Sequence, residues 1–279
     1  MRTRLSGDSS APAKLQGAHD LLRDFVLGAE DVAKARDFAA GMWRMSAQSP
    51  RDFGRTDVIR GSADFQADTF EGKLAEIAVS KFVFAARGWL LAPEFGVYDN
   101  QHWIDHGQDL GTLKIGRVVR QIRSRIDIKA TRSSSQWLLV EQHKFWSDAY
   151  ILVKIDLPSD LESRGMEISG SKVRCTISGF AYYFDLVDMK CLQPRFEFKK
   201  GSRLFGTKAL GRMGIGRTWG ASMIREEAAA YEARGDLLPI GVPMKTDNYG
   251  LPATWLRTGQ ADWDSFFDWL EASAVQPGA

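Results

Sequence analysis

At Gly88 the chain changes its hydrophobic rhythm, and that change confines it to a mixed architecture. Before it, Phe70, Leu74, Ile77, Ala78, Phe82 and Ala85 recur at helical spacing. This predicts one long amphipathic helix over 65–87, closed by the glycine. After it come short β-branched or aromatic runs bounded by Gly, Ser and Asp, at 89–91, 109–115, 122–130, 137–140, 150–157 and 173–184. Runs of this kind predict strands. A helical bundle cannot use them, and a β-sandwich cannot absorb the helix. Further helical spacing covers 19–43 and 221–233, an aromatic-rich helix is expected over 263–270, and Pro50 and Gly54 mark a loop over 48–60. The expected fold is α/β: a mixed β-sheet flanked by helices, with helical additions at both ends. No linker stands out in the 279 residues. A single elaborated domain is expected, with its core at about 60–200, a helical extension over 1–60, and a basic segment with C-terminal helices over 200–279.

Composition removes several classes of function. No apolar run approaches the roughly 18–20 residues of a membrane span, and residues 1–17 lack the apolar core of a secretory signal. A cytoplasmic protein is expected. Two cysteines, Cys175 and Cys191, exclude a disulfide framework and any multi-cysteine zinc site, and both are expected to be reduced and buried. His102 and His106 stand four apart, but the glutamate of a hydrolytic zinc helix is missing between them, so surface histidines are expected. The segment 201–208 nearly spells a phosphate-binding loop, yet Thr207 and Lys208 are in the wrong order. The glycines at 211, 214, 216 and 220 miss the dinucleotide-binding spacing, and no serine sits in a Gly-x-Ser-x-Gly elbow.

The net charge of +2 conceals a polarised distribution. Lys199, Lys200, Arg203, Lys208, Arg212, Arg217 and Arg225 follow one another with no acid between them. Lys114, Arg117, Arg120, Arg123, Arg125, Lys129 and Arg132 are interrupted by Asp127 alone, so acids outnumber bases elsewhere. Basic side chains that displace counterions from a phosphate backbone account for such stretches.

One constellation carries chemistry. In Arg125-Ile-Asp127-Ile-Lys129, the two-residue period of a strand sends both isoleucines to one face and the carboxylate and ammonium to the other. That pairing suits hydrolysis assisted by a hard cation, with the carboxylate as its oxygen ligand and the lysine steadying the attacking water. Acid-x-Lys triplets also occur at 71–73, 188–190 and 197–199, so the triplet selects nothing by itself. Context selects: Asp109 heads a strand upstream that a hairpin-like return can bring beside Asp127, and Glu76 lies on the long helix, able to face the end of the sheet. A rival centre, Asp185 or Asp188 with Glu197 and Lys199, lacks a following set of strands.

The order helix-Glu, strand-Asp, strand-Asp-x-Lys, strand resembles the PD-(D/E)XK nuclease superfamily. Ser-Arg-Ile-Asp-Ile-Lys-Ala-Thr at 124–131 and Ala-Tyr-Ile-Leu-Val-Lys-Ile-Asp-Leu at 149–157 look like type II restriction endonucleases in particular. The likeness covers about residues 65–185, and Gln108 stands where a proline often precedes the first acid. It implies a restriction-endonuclease-like core. Asp109 and Asp127, with the carbonyl of Ile128, would be Mg²⁺ ligands, Lys129 the catalytic lysine and Glu76 the helix glutamate. Glu71 is an alternative to Glu76, and Asp105 to Asp109.

The implied activity is Mg²⁺-dependent hydrolysis of phosphodiester bonds in double-stranded DNA by a restriction enzyme. Alternatives are a repair or defence nuclease of low sequence specificity, or a DNA-binding module of nuclease fold that does not cut. Lys199, Lys200, Arg203, Lys208, Arg212 and Arg217 are expected to contact DNA, and Arg203, Arg212 and Arg217 are candidates to read guanine. A homodimer is expected, because duplex recognition favours two-fold symmetry, and Trp219, Trp255, Trp263 and Trp269 fit either its interface or the core. A cognate DNA methyltransferase is the expected companion.

Overall fold

The computed structural model describes residues 21–46, 62–97, 109–157 and 172–276. It has a mixed α/β architecture with several sheets. The elements that frame the site are β1 (Asp24–Leu27), α1 (Ala29–Ser46), α2 (Ser62–Arg87), β2 (Leu90–Leu91), β3 (Thr112–Ile115), β4 (Val118–Ile122), β5 (Ile126–Arg132), β6 (Trp137–Glu141), β7 (Ala149–Asp156) and β8 (Val173–Tyr182). The central sheet runs β1-β8-β7-β5, with β5 and β7 parallel and the other pairs antiparallel. Parallel neighbours need a crossover of a dozen or more residues. Here residues 133–148 supply it, and β6 leaves within it to join a second sheet with the strands Asn248–Pro252 and Phe196–Phe198.

β7 explains why the core has two halves. Its sequence, Ala-Tyr-Ile-Leu-Val-Lys-Ile-Asp, is almost continuously apolar, as a strand covered on both faces must be. Ile151, Val153 and Ile155 face a cluster built from α2, Phe180, Trp263, Phe266 and Phe267. Tyr150 and Leu152 face a second cluster with Trp137, Phe196, Leu210 and Leu251. α2 lies across the first face and ends at Gly88, whose φ of +68° is the left-handed conformation that stops a helix.

The N-terminal segment departs from its expected helix. Residues 24–27 form β1, paired to β8 with Asp24 opposite Thr176, and the helix begins only after Gly28. Phe25 and Leu27 are buried while Asp24 and Val26 are exposed, so a period of two outweighs the helical spacing where β8 offers an edge. The expected strand over 122–130 is two strands, β4 and β5, because Arg123–Arg125 turn the chain between sheets. The expected strand over 173–184 ends at Tyr182, and Tyr183–Leu186 is a short helix. The helices Ala221–Ala233 and Gln260–Ser273 stand where the apolar spacing put them. Sheets also recruit strands from outside 60–200: β1, Asn248–Pro252 and Ala274–Val275. Both cysteines are free; Cys175 is buried as expected, and Cys191 is exposed. Among the described residues, no helix is long and apolar enough to cross a membrane.

Gly179 locks β8 against the C-terminal segment. It occupies a register shift between β7 and β8 at φ +142°, and a Cβ there would meet the Arg257 carbonyl oxygen and Leu256 Cβ, both at 2.8 Å. Phe180 and Arg257 exchange backbone hydrogen bonds beside it, at 3.1 and 2.8 Å. Gly179→Ala is therefore expected to cost about 2–4 kcal/mol, combining backbone strain with overpacking. Urea unfolding checks this, and a loss below about 0.5 kcal/mol would contradict it.

Candidate active site

β5 behaves as its alternation requires. Ile126 and Ile128 are buried in the first core cluster, and Asp127 and Lys129 project from the other face. Asp127 is 6 % exposed. Lys129 Nζ stands 2.6 Å from Asp127 Oδ2. That ammonium is the cation against this buried oxygen. Burial works against the charge on Lys129, but the carboxylates of Asp127, Asp109 and Glu141 outweigh it and hold the amine above the ordinary lysine range.

β5 is the last strand of its sheet, and the chain at Asp109 covers its open side. Asp109 N–H donates to the carbonyl of Ile126 (3.0 Å), and Ile128 N–H donates to Asp109 Oδ2 (2.6 Å). In a strand the N–H and C=O of one residue point to the same side. The Ile128 carbonyl therefore faces the same edge as Asp109. Asp109 does not sit on a strand; it occupies the turn just before β3.

α2 brings the last acid. Glu76 and Gly72 are four apart on one helical face, and both line a cavity of about 150 Å³ together with Asp109, Asp127, Ile128, Lys129 and Lys144. A Cβ at Gly72 would meet nothing within 4 Å, so the glycine keeps that wall open. Glu76 is held by Lys73, whose Nζ lies 2.6 Å from Glu76 Oε2, donates to the Glu94 carbonyl (2.8 Å) and stands 4.3 Å from the centre of the Phe38 ring. Glu71 turns elsewhere, to Arg132 at 2.7 Å. Asp105, His102 and His106 lie outside the described residues.

Two contributors carry no local signal. Lys144 comes from the short 3₁₀ turn after β6, 3.6 Å from Glu141, and reaches the cavity only through the crossover. Lys73 belongs to one of the acid-x-Lys triplets without strand context; its burial follows from the aromatic rings of Phe38 and Phe95 packed over it.

The rival acids have structural partners. Asp185 is gripped by two guanidinium nitrogens of Arg257, both at 2.8 Å. Asp188 accepts the N–H groups of Ala221 (2.9 Å) and Lys190 (3.0 Å), which hold its carboxyl below the usual range. Lys199, Lys200, Arg203, Lys208, Arg212 and Arg217 are all exposed, with Lys199 tied to Glu197 and Asp247. Trp255 and Trp263 are buried in the core, and Trp219 and Trp269 pack against it.

No group of three or more His, Cys, Asp or Glu side chains is gathered as a metal cage among the described residues. What the cavity offers a cation is different in kind: two carboxylates, one of them paired with Lys129, a backbone carbonyl at the edge, and room for water. That donor set fits Mg²⁺, which binds through one or two carboxylates and keeps several waters. In comparisons with known proteins, no family model, curated protein or solved structure matches this chain.

Proposed function

We propose that the protein is a Mg²⁺-dependent endonuclease of double-stranded DNA, acting as a type II restriction enzyme. The observation that carries the reading is convergence. Glu76, Asp109 and the Asp127–Lys129 pair, singled out on three segments of sequence, line one cavity with Ile128. Asp109 and Asp127, with the Ile128 carbonyl, would hold the cation. When bound, Mg²⁺ supplies Lewis-acid stabilisation of charge developing on the phosphate and eases ionisation of the attacking water.

The chain's own groups do the rest. Lys129, a cation beside two carboxylates, orients the attacking water and offsets charge on a phosphate oxygen. Glu76, steadied by Lys73, positions water from the helix side. Lys144 adds a second cation to the lining. The family likeness implies a 5′-phosphate and a 3′-hydroxyl as products. Lys199, Lys200, Arg203, Lys208, Arg212 and Arg217, exposed and basic, would contact duplex phosphates, with two copies of the chain engaging a two-fold site and a methyltransferase shielding the host.

The deciding experiment is incubation with unmodified phage DNA, with Mg²⁺ and with chelator. Discrete fragments that appear only with Mg²⁺ are expected. Cutting confined to branched or damaged DNA would favour a repair enzyme. Binding without any metal-dependent cutting would leave a non-catalytic module and overturn the reading.

A further inference from the structure

The cavity wall continues into a basic ribbon. β3 and β4 pair antiparallel, from Thr112 opposite Gln121 to Ile115 opposite Val118, and the turn between them is Gly116-Arg117 with Gly116 at φ +59°. From Leu110 to Ile126 there are five basic residues and no acid. Register sorts them. Leu113 and Ile122 point to the core, and Arg120, on that same face opposite Leu113, is engaged by Glu271 at 3.7 Å. The outer face carries Leu90, Lys114 and Val119 in one cross-strand row and Thr112 with Gln121 in the next, all exposed. Arg117 is exposed at the tip and Arg125 at the base. Among the described residues no carboxylate lies within ion-pair distance of Lys114, Arg117 or Arg125; Asp148 accepts the backbone N–H of Arg125 at 2.8 Å.

Three hydrogen bonds stitch the ribbon's base to the cavity edge. They run from Ile122 N–H to the Gly111 carbonyl (3.0 Å), from Asp109 N–H to the Ile126 carbonyl (3.0 Å), and from Ile128 N–H to Asp109 Oδ2 (2.6 Å). The ribbon therefore has little freedom relative to the carboxylates. β3 and β4 are the inner pair of a four-stranded sheet edged by β2 and Ala274–Val275, so their outer face meets a duplex broadside, with the basic groups spread along it.

We infer that the outer face of the β3–β4 ribbon is a docking surface for duplex DNA, with Lys114, Arg117 and Arg125 on phosphates flanking the one in the cavity. The inference rests on the nuclease reading for what enters the cavity, and it adds a surface distinct from the 199–217 stretch. Leu90 and Val119 offer apolar contact, and Thr112 and Gln121 offer hydrogen bonds, to whichever base edges lie above them.

The test is a salt titration of binding to a fluorescein-labelled duplex of mixed sequence, in chelator so that nothing is cut. Lys114→Gln/Arg117→Gln/Arg125→Gln should flatten the slope of log affinity against log salt by about 2.7, at about 0.9 for each phosphate no longer neutralised. Lys34→Gln/Lys81→Gln/Arg234→Gln, which removes the same charge from positions paired with Glu30, Asp31 and Asp236 elsewhere on the surface, should leave the slope unchanged. Arg117→Gln alone, a change at an exposed turn, should take away about 0.9 and covers the case in which the triple variant misfolds. A triple or single variant with the wild-type slope, or equal losses in the control, overturns the ribbon assignment. A wild type that binds with the full slope but never cuts with Mg²⁺ overturns the nuclease reading and leaves the ribbon standing. A wild type with no affinity for duplex overturns both.

Discussion

Asp127→Asn is expected to lower Mg²⁺-dependent cleavage by about 10³-fold or more while duplex affinity in chelator stays at the wild-type value. The substitution keeps shape and volume but removes the negative charge of the carboxylate that pairs with Lys129 at 2.6 Å. Losing that pair also costs stability, about 1–3 kcal/mol, less than for an isolated buried pair because Asp109 and Glu141 remain beside Lys129. Cleavage rates and urea midpoints on the same preparation decide it. A variant that cuts within about tenfold of wild type, or that loses cutting only because it unfolds, would remove Asp127 from the chemistry.

Lys73→Ala should be the more damaging change to stability, at about 3–5 kcal/mol. The residue is 6 % exposed, and its ammonium pairs with Glu76 at 2.6 Å and leans on the Phe38 ring. Removing it takes the near cation from a half-buried carboxylate and the donor from the Glu94 carbonyl. Lys73→Met keeps the stem's packing and isolates the electrostatic part. Adding Glu76→Gln to Lys73→Met should recover about 1–3 kcal/mol, the coupling of a buried pair. Additive losses in that double-mutant cycle would show that the two side chains do not act together.

The parts of the site legible in sequence were those governed by local periodicity. Ile126 and Ile128 against Asp127 and Lys129 could be read from a strand's period of two, and the face of α2 that carries Glu76 from helical spacing. Asp109 is legible as an acid near the head of a strand, and as a turn former, but not as the partner of the β5 backbone, a contact set by tertiary pairing. β1 departs from the helical expectation because Asp24–Leu27 fit either period, and the edge of β8 decides between them. Lys144 and Lys73 were hidden for a related reason. Their roles depend on a crossover and on two aromatic rings, neither of which lies beside them in sequence. The second sheet, which draws β6 away to pair with Asn248–Pro252, has no local signature at all.

The backbone grip of Asp109 on the outer side of β5 has a consequence for solubility. An uncovered terminal strand is a template for strand addition from another molecule, a common start of aggregation. Here the Ile126 carbonyl and the Ile128 N–H, two of the groups such an intruder would seek, are occupied by Asp109. The same pair of hydrogen bonds that shapes the cavity therefore also obstructs strand addition at this edge.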